Sequence, residues 1–308
     1  MKKDFLDIAD FSSTELQEML ALAVELKKEY FNGGNAPVLK NKVMAMIFQK
    51  ASLRTRVSFD MAMRHFGGDA LYLSPSEIGL GTRESVADVA RVLAGYVDII
   101  MARVFEHKHI LELAEYSSVP VINGLSDYNH PCQGMTDALT MLEHYGKIEG
   151  LNVTYVGDGN NMAVSVMDVC AKLGANFTAA CPVGYGIDQS AISHASQFAK
   201  DSNSTLNFFS DPHAAVKDAD VIYTDTWVSM GQEEETEKRM KVFPAYQVNK
   251  SLVDVAKSSV IVMHCLPAHR GQEITDEVAD GSHSVIFQQA HNRLHAQKAI
   301  IYKLLVRE

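Results

Sequence analysis

The sequence has few cysteines, no long apolar run and no signal-like N-terminal segment. Its four cysteines are widely and irregularly spaced in 308 residues, which is typical of reduced thiols rather than of a disulfide framework. The longest strongly apolar run, residues 43–48, is far shorter than the roughly 18 residues that a membrane-spanning helix needs. Asp4, Asp7 and Asp10 interrupt the stretch in which a signal peptide would have its apolar core. We therefore expect a cytoplasmic protein with no membrane partner.

Positive charge is also scarce. Lys and Arg total 28 against 38 Asp and Glu, which gives a formal net charge of -10. Broad binding to nucleic acid or anionic lipid needs a dense basic face, so we expect no nucleic-acid partner. The apolar fraction of 47% and the charged fraction of 21% are typical of a folded globular protein. At roughly 150 residues per domain, the length predicts two domains.

Short apolar runs rich in β-forming residues alternate with amphipathic helical patterns along the whole chain. This alternation predicts the α/β class, with two doubly wound parallel-sheet domains joined by interdomain helices. The predicted strands are 42–48, 70–73, 97–101, 119–122, 152–156, 177–180, 206–209, 221–224 and 260–263.

The predicted joint is a helix over residues 131–145, because Pro131 suits a first helical position and Gly146 suits a helix stop. Residues 288–306 predict another long helix, which packs back on the first domain. The expected domains are therefore 1–130 with the helix 288–308, and 131–287. The polar stretch 231–241 predicts a solvated surface loop.

A possible anion site begins at Ser52, directly after the first strand. Ser52 can cap the following helix, and the backbone N–H groups of the first turn favour an anion. Arg54 and Arg56 add positive charge and forked donors. A capped surface helix with two solvated arginines explains this segment about equally well.

A second polar motif, His130-Pro131-Cys132-Gln133, opens the predicted interdomain helix. Open α/β sheets bind their ligands at such positions after a strand. An imidazole and a side-chain amide there can both donate to a carbonyl oxygen, as an oxyanion stabiliser must. Taken singly, a His before Pro is more often a loop residue.

The Gly157-Asp158-Gly159 turn invites comparison with a dinucleotide fingerprint, which it fails. Met162 occupies the position of the third glycine, and Ala180-Cys181-Pro182 replaces the expected acidic residue after the next strand. A nicotinamide cofactor is therefore not expected. The turn can still present Asn161 to a small ligand.

Two segments of the second half follow predicted strands, so their side chains should meet at one sheet edge. Residues 225–231 (DTWVSMG) offer a carboxylate and a hydroxyl, and residues 264–267 (HCLP) offer a thiol. His264, Cys265 and His269 lack the ligand spacing of a zinc site, so no metal is expected. Taken alone, Arg103 and Arg293 are typical of surface arginines.

Together, the segments 52–56 (SLRTR), 130–133 (HPCQ), 225–231 and 264–267 resemble the motifs of the carbamoyltransferases. The likeness extends over essentially the whole chain and includes 124–127 (GLSD) and 292–295 (NRLH). The first two motifs are shared with aspartate carbamoyltransferases, whereas the last two of the four point to the ornithine branch of the family.

The resemblance implies a homotrimer, or an assembly of trimers, that makes citrulline and phosphate from carbamoyl phosphate and L-ornithine without metal or organic cofactor. It implies catalytic roles for Arg54, Arg103, His130 and Cys265. The carbamoyl-phosphate residues it implies are Ser52, Leu53, Arg54, Thr55, Arg103, His130, Gln133 and Arg293. The ornithine residues it implies are Asn161, Asp225, Ser229, Met230, Cys265 and Leu266.

Three residues depart from the family pattern. Leu53 replaces a Thr, which removes a hydroxyl but keeps the backbone N–H. Gly79 replaces a Gln or His that reaches a neighbouring subunit in relatives, and Arg83 could take that role. His291 replaces a Glu. Putrescine is the closest rival acceptor, but it would leave Asn161 and Asp225 without a purpose. A non-catalytic relative would be expected to lose residues such as Arg54. Whether the reaction serves arginine synthesis or breakdown stays open.

Overall fold

The computed structural model describes residues 3–229 and 231–306. The chain divides into two compact units, Met1–Leu139 with His291–Glu308, and Thr140–Ala290. The sequence predicted these divisions at 130/131, directly before the helix that begins at Pro131, and at 287/288, in the first turn of the helix that begins at Ile286. Each unit contains one parallel sheet with helices packed on it, so the predicted α/β class is confirmed. No helix in the described part of the chain is long and apolar enough to cross a lipid bilayer.

The first unit is built on a four-stranded parallel sheet with the order β2-β1-β3-β4. Its strands are β1 (Val43–Phe48), β2 (Asp69–Leu73), β3 (Ile99–Arg103) and β4 (Val121–Leu125). Its first five helices are α1 (Ser13–Phe31), α2 (Leu53–His65), α3 (Pro75–Ile78), α4 (Val86–Ala94) and α5 (His107–Tyr116). A short 3-10 helix covers Ile8–Asp10. Strands β1 and β3 are buried almost throughout, as expected for strands covered on both faces.

The second unit contains a five-stranded parallel sheet with the order β7-β6-β5-β8-β9. Helix α6 (Pro131–Tyr145) crosses the first division between the units. The strands are β5 (Asn152–Val156), β6 (Asn176–Ala180), β7 (Leu206–Phe209), β8 (Val221–Thr224) and β9 (Ile261–His264). The helices are α7 (Asn161–Leu173), α8 (Gln189–Ser202), α9 (Pro212–Val216), α10 (Thr236–Val242), α11 (Lys250–Val253) and α12 (Asp276–Ala279). Helix α13 (Ile286–Leu305) crosses the second division.

Two short 3-10 helices, Glu233–Glu235 and Phe243–Tyr246, flank α10. The segment that was predicted to be a solvated surface loop is therefore largely helical, so the predicted loop is wrong, whereas most of its described residues are exposed as predicted. Its Arg239 side chain is buried against Asp158, with Nη1 3.0 Å from Oδ2. A buried ion pair holds this helix, which the charge pattern of the segment did not indicate.

Gly159, in the turn that was compared with a dinucleotide fingerprint, has a packing role. A Cβ atom built on Gly159 would lie 2.3 Å from both Gly186 C and Ile187 N, and Gly159 N donates to Tyr185 O at 2.8 Å. The space that a glycine leaves for a pyrophosphate in a dinucleotide site is here filled by the chain's own loop. This glycine is therefore required for packing within the second unit.

We expect Gly159→Ala to lower the free energy of unfolding by about 2 kcal/mol or more, because the added methyl group must displace backbone atoms. Urea denaturation measures the loss. Gly186→Ala is the matched control, since a Cβ there meets no atom within 4 Å. Equal stability of the two variants would contradict this account of the turn.

Candidate active site

The carboxyl ends of three neighbouring strands carry the polar residues of the first unit. The register pairs Phe48 at the end of β1 with Arg103 at the end of β3, and Arg103 with Leu125 at the end of β4. The Ser52 motif follows β1, and His130 follows β4. Parallel strands therefore bring the three predicted groups to one sheet edge.

Ser52 caps helix α2, as predicted from the sequence. Its Oγ accepts a hydrogen bond from Thr55 N at 3.3 Å and donates to Thr55 Oγ1 at 3.0 Å. Leu53 is the first residue of the helix, and its side chain is 74% exposed. Leu53 can therefore offer only its backbone N–H to an anion, which is the group that the departure from Thr preserves.

Arg293, on helix α13, joins this cap to the start of α6. Its Nη2 donates to Thr55 Oγ1 at 2.7 Å, and its Nη1 donates to Gln133 Oε1 at 2.9 Å. Gln133 Nε2 in turn donates to Asp137 Oδ1 at 2.8 Å. The side chains of Arg293, Gln133 and Thr55 are all buried. The arginine is therefore fixed in one orientation by hydrogen bonds rather than solvated at the surface.

His130 is buried close to two guanidinium groups. Burial lowers its pKa well below the usual value, and the positive charges of Arg293 and Arg103 lower the pKa further. The imidazole is therefore neutral at physiological pH. A neutral imidazole keeps one N–H donor and one acceptor nitrogen, so it can donate to an oxygen without carrying charge of its own.

Gly79 and His291 are the other two departures from the family pattern. Gly79 ends helix α3 with φ +49°, and a Cβ atom there would lie 2.7 Å from Arg83 Cβ. Arg83 donates from Nη1 to Glu77 O at 3.2 Å, so it is engaged within its own loop. His291 is exposed on α13, and nothing in the structure explains that substitution.

In the second unit, the ends of β5, β8 and β9 carry the predicted acceptor-binding residues. These strands are neighbours in the sheet, with Val156 opposite Thr224 and Thr224 opposite His264. The Gly157 turn, Asp225 and Cys265 follow these three strands directly. The predicted meeting of the 225–231 and 264–267 segments at one edge is confirmed.

The Asp225 carboxylate lies at the centre of this edge. Its Oδ1 accepts from Cys265 Sγ at 3.1 Å, and its Oδ2 accepts from Asn160 Nδ2 at 3.0 Å. Asn160 Nδ2 also approaches Ser229 Oγ at 3.5 Å. The Asn160 amide thus links the carboxylate to the Ser229 hydroxyl, and the carboxylate in turn holds the Cys265 thiol.

Asn160 is a residue that the sequence reasoning missed. It caps helix α7, and its Oδ1 accepts from Met162 N, Ala163 N and Tyr155 Oη at 2.9, 3.2 and 3.1 Å. An Asn directly before a helix start is a common cap signal, so its position could have been recognised. Asn161, the residue that was predicted, is the first residue of α7 and is half-buried. Met230 lies outside the described residues.

Asp225, His264 and Cys265 place three possible metal-ligand atoms within 4.8 Å of one another. His264 has no free nitrogen for a metal, however. Its Nδ1 accepts from Leu266 N at 2.9 Å, and its Nε2 lies 3.0 Å from Glu273 Oε1. The cluster therefore fits a polar organic ligand better than a metal ion.

Leu266 has the left-handed backbone conformation, with φ +58°. A residue with a Cβ atom occupies this region at a cost of roughly 1–2 kcal/mol, so neighbouring contacts must hold it there. Since its side chain is apolar, Leu266 can contribute only its backbone to the binding of a polar ligand.

Buried Arg239 connects the residues that follow β8 with the turn that follows β5. It donates to Trp227 O at 2.9 Å and pairs with Asp158 and with Glu235. Burial raises the pKa of Asp158 to about 6, and the Arg239 charge opposes this rise. The carboxylate is therefore mostly ionised at neutral pH, and Arg239 links it to the backbone of Trp227.

Comparisons with known proteins agree over nearly the whole chain. Residues 3–143 match the carbamoyl-P binding domain of the aspartate/ornithine carbamoyltransferases, and residues 149–304 match their Asp/Orn binding domain.

Individual relatives extend the match to full length. The chain is 52% identical to an ornithine carbamoyltransferase of Anoxybacillus flavithermus, over 98% of this chain and 96% of the relative. It is also 52% identical to an anabolic ornithine carbamoyltransferase of Pyrococcus furiosus, over 97% of this chain and 95% of the relative. A solved ornithine carbamoyltransferase structure from P. furiosus superposes with a TM-score of 0.96 at 51% identity, covering 99% of this chain and 97% of that chain. With both domain models and full-length relatives in agreement, the chain belongs to the aspartate/ornithine carbamoyltransferase family.

Proposed function

We propose that this protein transfers the carbamoyl group of carbamoyl phosphate to the side-chain amine of L-ornithine, giving L-citrulline and phosphate. The observation that carries the proposal is the cluster of Asp225, Cys265, Asn160 and Ser229 in the second unit. It combines a carboxylate for an α-ammonium, polar groups for an α-carboxylate and a thiol for a second amine. Full-length similarity to ornithine carbamoyltransferases supports the same conclusion.

The first unit binds carbamoyl phosphate in this proposal. Its phosphate is an anion that the α2 N-terminus, Ser52, Thr55 and the guanidinium groups of Arg54, Arg103 and Arg293 can hold. The Leu53 backbone N–H belongs to the same helix start. Arg103 and Arg293 are buried, so their charges act in a medium of low polarity, where they are poorly screened.

Attack by the amine converts the carbamoyl carbonyl into a tetrahedral oxyanion. His130 donates to this oxygen from a neutral imidazole, whose pKa is lowered by burial and by Arg293 and Arg103. Charge that develops at the oxygen meets donors already in place, which is the most effective form of electrostatic stabilisation. Gln133 lies in the first turn of α6 and orients Arg293 through its Oε1; we assign it to the carbamoyl group together with His130.

The second unit binds ornithine in this proposal. Asp225 accepts from the α-ammonium, and Asn161 and Ser229 bind the remaining amino-acid groups. The resemblance assigns Met230 to the same role. An alkylamine is protonated at neutral pH, with a reference pKa of about 10.4, so a proton must leave before attack. The ammonium loses one proton to water before attack, and the Cys265 thiol and the Leu266 backbone orient the neutral amine. Attack forms the C–N bond of the tetrahedral oxyanion, whose collapse breaks the C–O bond to the phosphate. The leaving phosphate carries away the second amine proton as hydrogen phosphate.

Acceptor specificity is the direct test of the proposal. Citrulline and related ureido products can be measured with carbamoyl phosphate and ornithine, putrescine, aspartate or N-acetylornithine. We expect kcat/KM with ornithine to exceed that with putrescine by about 10²-fold or more, because putrescine leaves the buried Asp225 carboxylate and its polar neighbours unpaired. Comparable values for ornithine and putrescine would overturn the choice of substrate.

Arg54 tests the phosphate site. We expect Arg54→Ala to lower turnover by about 10²-fold or more, the scale for removing one preorganised charge stabiliser. Arg64→Ala is the matched control, because Arg64 lies on the same helix but pairs with Asp60 at its far end, 2.6 Å away. A folded Arg54→Ala protein with unchanged turnover would exclude this role.

We also propose that the protein forms a homotrimer through α2 and β2. Leu53, Val57 and Met61 follow one another at four-residue spacing, so they share one face of α2, and they are 74%, 48% and 36% exposed. Strand β2 is an edge strand, and its Leu71 is 52% exposed. Open edges and exposed apolar rows are typically covered by another chain.

We expect the double variant Val57→Glu/Met61→Glu to dissociate to monomers in sedimentation velocity, since charge would be buried at the interface. Val183→Glu, at a position that is 89% exposed in the second unit, serves as control. A trimeric double variant would exclude this face as the interface. A cytoplasmic location stays a prediction.

A further inference from the structure

The turn after β9 carries two of the proposed acceptor-binding residues, Cys265 and Leu266. Among the described residues, the carbonyl oxygen of Leu266 accepts no hydrogen bond. The left-handed φ of +58° at this leucine has no support from its own side chain, which is apolar. Something outside the turn must therefore hold the backbone in this conformation.

His264 supplies one part of that support. Its side chain is fully buried, and its Nδ1 accepts the hydrogen bond of Leu266 N at 2.9 Å. Because a backbone N–H can only donate, Nδ1 must be the unprotonated nitrogen of a neutral ring. The proton then sits on Nε2, which lies 3.0 Å from Glu273 Oε1. One carboxylate thus selects the tautomer that can hold Leu266.

Glu273 supplies the second part. Its Oε1 also accepts from His269 N at 2.5 Å, so a single oxygen is bound to the residue before the turn and to a residue after it. Glu273 is fully buried. Its own strand-like pairing adds rigidity, since Val248 N donates to Glu273 O at 2.8 Å. The two ends of the segment 265–268 are therefore fixed on one acceptor.

The backbone of His264 is held as well. His264 N donates to Gln289 Oε1 at 2.8 Å, and Gln289 Nε2 donates to Tyr223 Oη at 3.2 Å. With its backbone and both ring nitrogens bonded, the imidazole has no freedom to turn. Polar groups without access to water are costly to bury unless each is bonded. Here those bonds all converge on the turn that bears Cys265.

We propose that His264 and Glu273 are positioning residues for the acceptor amine. They fix the peptide plane between Cys265 and Leu266 through the Leu266 N–H, and they fix His269 N beyond the turn. Together these two restraints set the directions of the Leu266 carbonyl and of the Cys265 thiol. Neither residue contacts the substrate in this account. The proposal rests on the proposed function. It adds a reason for the conformation of the turn that bears Cys265 and Leu266. Carbamoyl-phosphate binding, which belongs to the first unit, does not depend on this pair.

Two substitutions of His264 separate its two hydrogen bonds. Asparagine places an oxygen near the position of Nδ1, so His264→Asn keeps an acceptor for Leu266 N and loses the bond to Glu273. Glutamine places an amide nitrogen near the position of Nε2, so His264→Gln keeps the donor to Glu273 and loses the acceptor for Leu266 N. The two variants are therefore matched controls for each other.

We expect His264→Gln to raise KM for ornithine by about tenfold or more, with KM for carbamoyl phosphate unchanged, because only acceptor binding loses its geometry. We expect His264→Asn to stay within about threefold of the parent protein for both substrates. Equal losses in both variants, or a parallel rise in both KM values, would overturn the proposal, since a merely structural histidine would give that result.

Glu273 gives an independent pair if a His264 variant fails to fold. Glu273→Gln keeps a side-chain oxygen that can accept from His264 and His269, whereas Glu273→Leu removes it at similar volume. We expect KM for ornithine to rise by about tenfold in the leucine variant alone. Rescue by glutamine supports the positioning role, and identical behaviour of the two variants overturns it.

A readout without ornithine separates the inference from the proposed function. Alkylation of Cys265 by iodoacetamide, followed by peptide mass spectrometry, reports the setting of the thiol beside Asp225. We expect the rate to rise by at least about threefold in His264→Gln and not in His264→Asn. If the parent protein makes no citrulline, the proposed function fails. If it does, but both variants are alkylated at the parent rate, the inference fails.

Discussion

Parallel strand direction is the constraint on which the rest of this molecule depends. In a parallel sheet every strand ends at the same edge, so residues far apart in the sequence meet there without any further device. In the first unit the edge gathers the Ser52 cap, Arg103 and the His130 motif. In the second unit the edge gathers the Gly157 turn, Asp225 and Cys265. In the proposed function, the first set binds an anion and the second set binds an amino acid.

Electrostatics in the first unit is dominated by buried guanidinium groups. Arg103 and Arg293 are close enough to His130 to lower the pKa of its imidazole together with burial. Without an anion these like charges are unfavourable neighbours, and a bound phosphate group reverses the sign of that interaction. Hydrogen bonds from Arg293 to Thr55 and Gln133 fix the orientation of its guanidinium group before an anion binds. The repulsion that these like charges cause in the absence of an anion is therefore also what favours the binding of an anion.

Much of the fold followed from the sequence, because apolar periodicity identified all nine strands of the described chain and both helices that cross the unit divisions. Strand ends were less accurate. β9 continues to His264, where the apolar pattern stops at a polar residue although the backbone remains paired. β3 continues two residues past its predicted end, through the apolar Ala102 to Arg103. Arg239 and Glu273 gave no local signal, since buried ion pairs and shared acceptors are made by tertiary packing. Asn160 did give a local signal, because an Asn directly before a helix start is a common N-cap.

The bond between Thr55 and Arg293 joins residues 238 positions apart. Synthesis on the ribosome proceeds from the N-terminus, so the strands and the Ser52 cap of the first unit exist as nascent chain long before Arg293 leaves the exit tunnel. Until then the buried Thr55 hydroxyl lacks its guanidinium partner, and the anion pocket is incomplete. A partly made chain should therefore be unable to bind a reactive acyl phosphate, and we expect binding only after helix α13, which bears Arg293, has been synthesised.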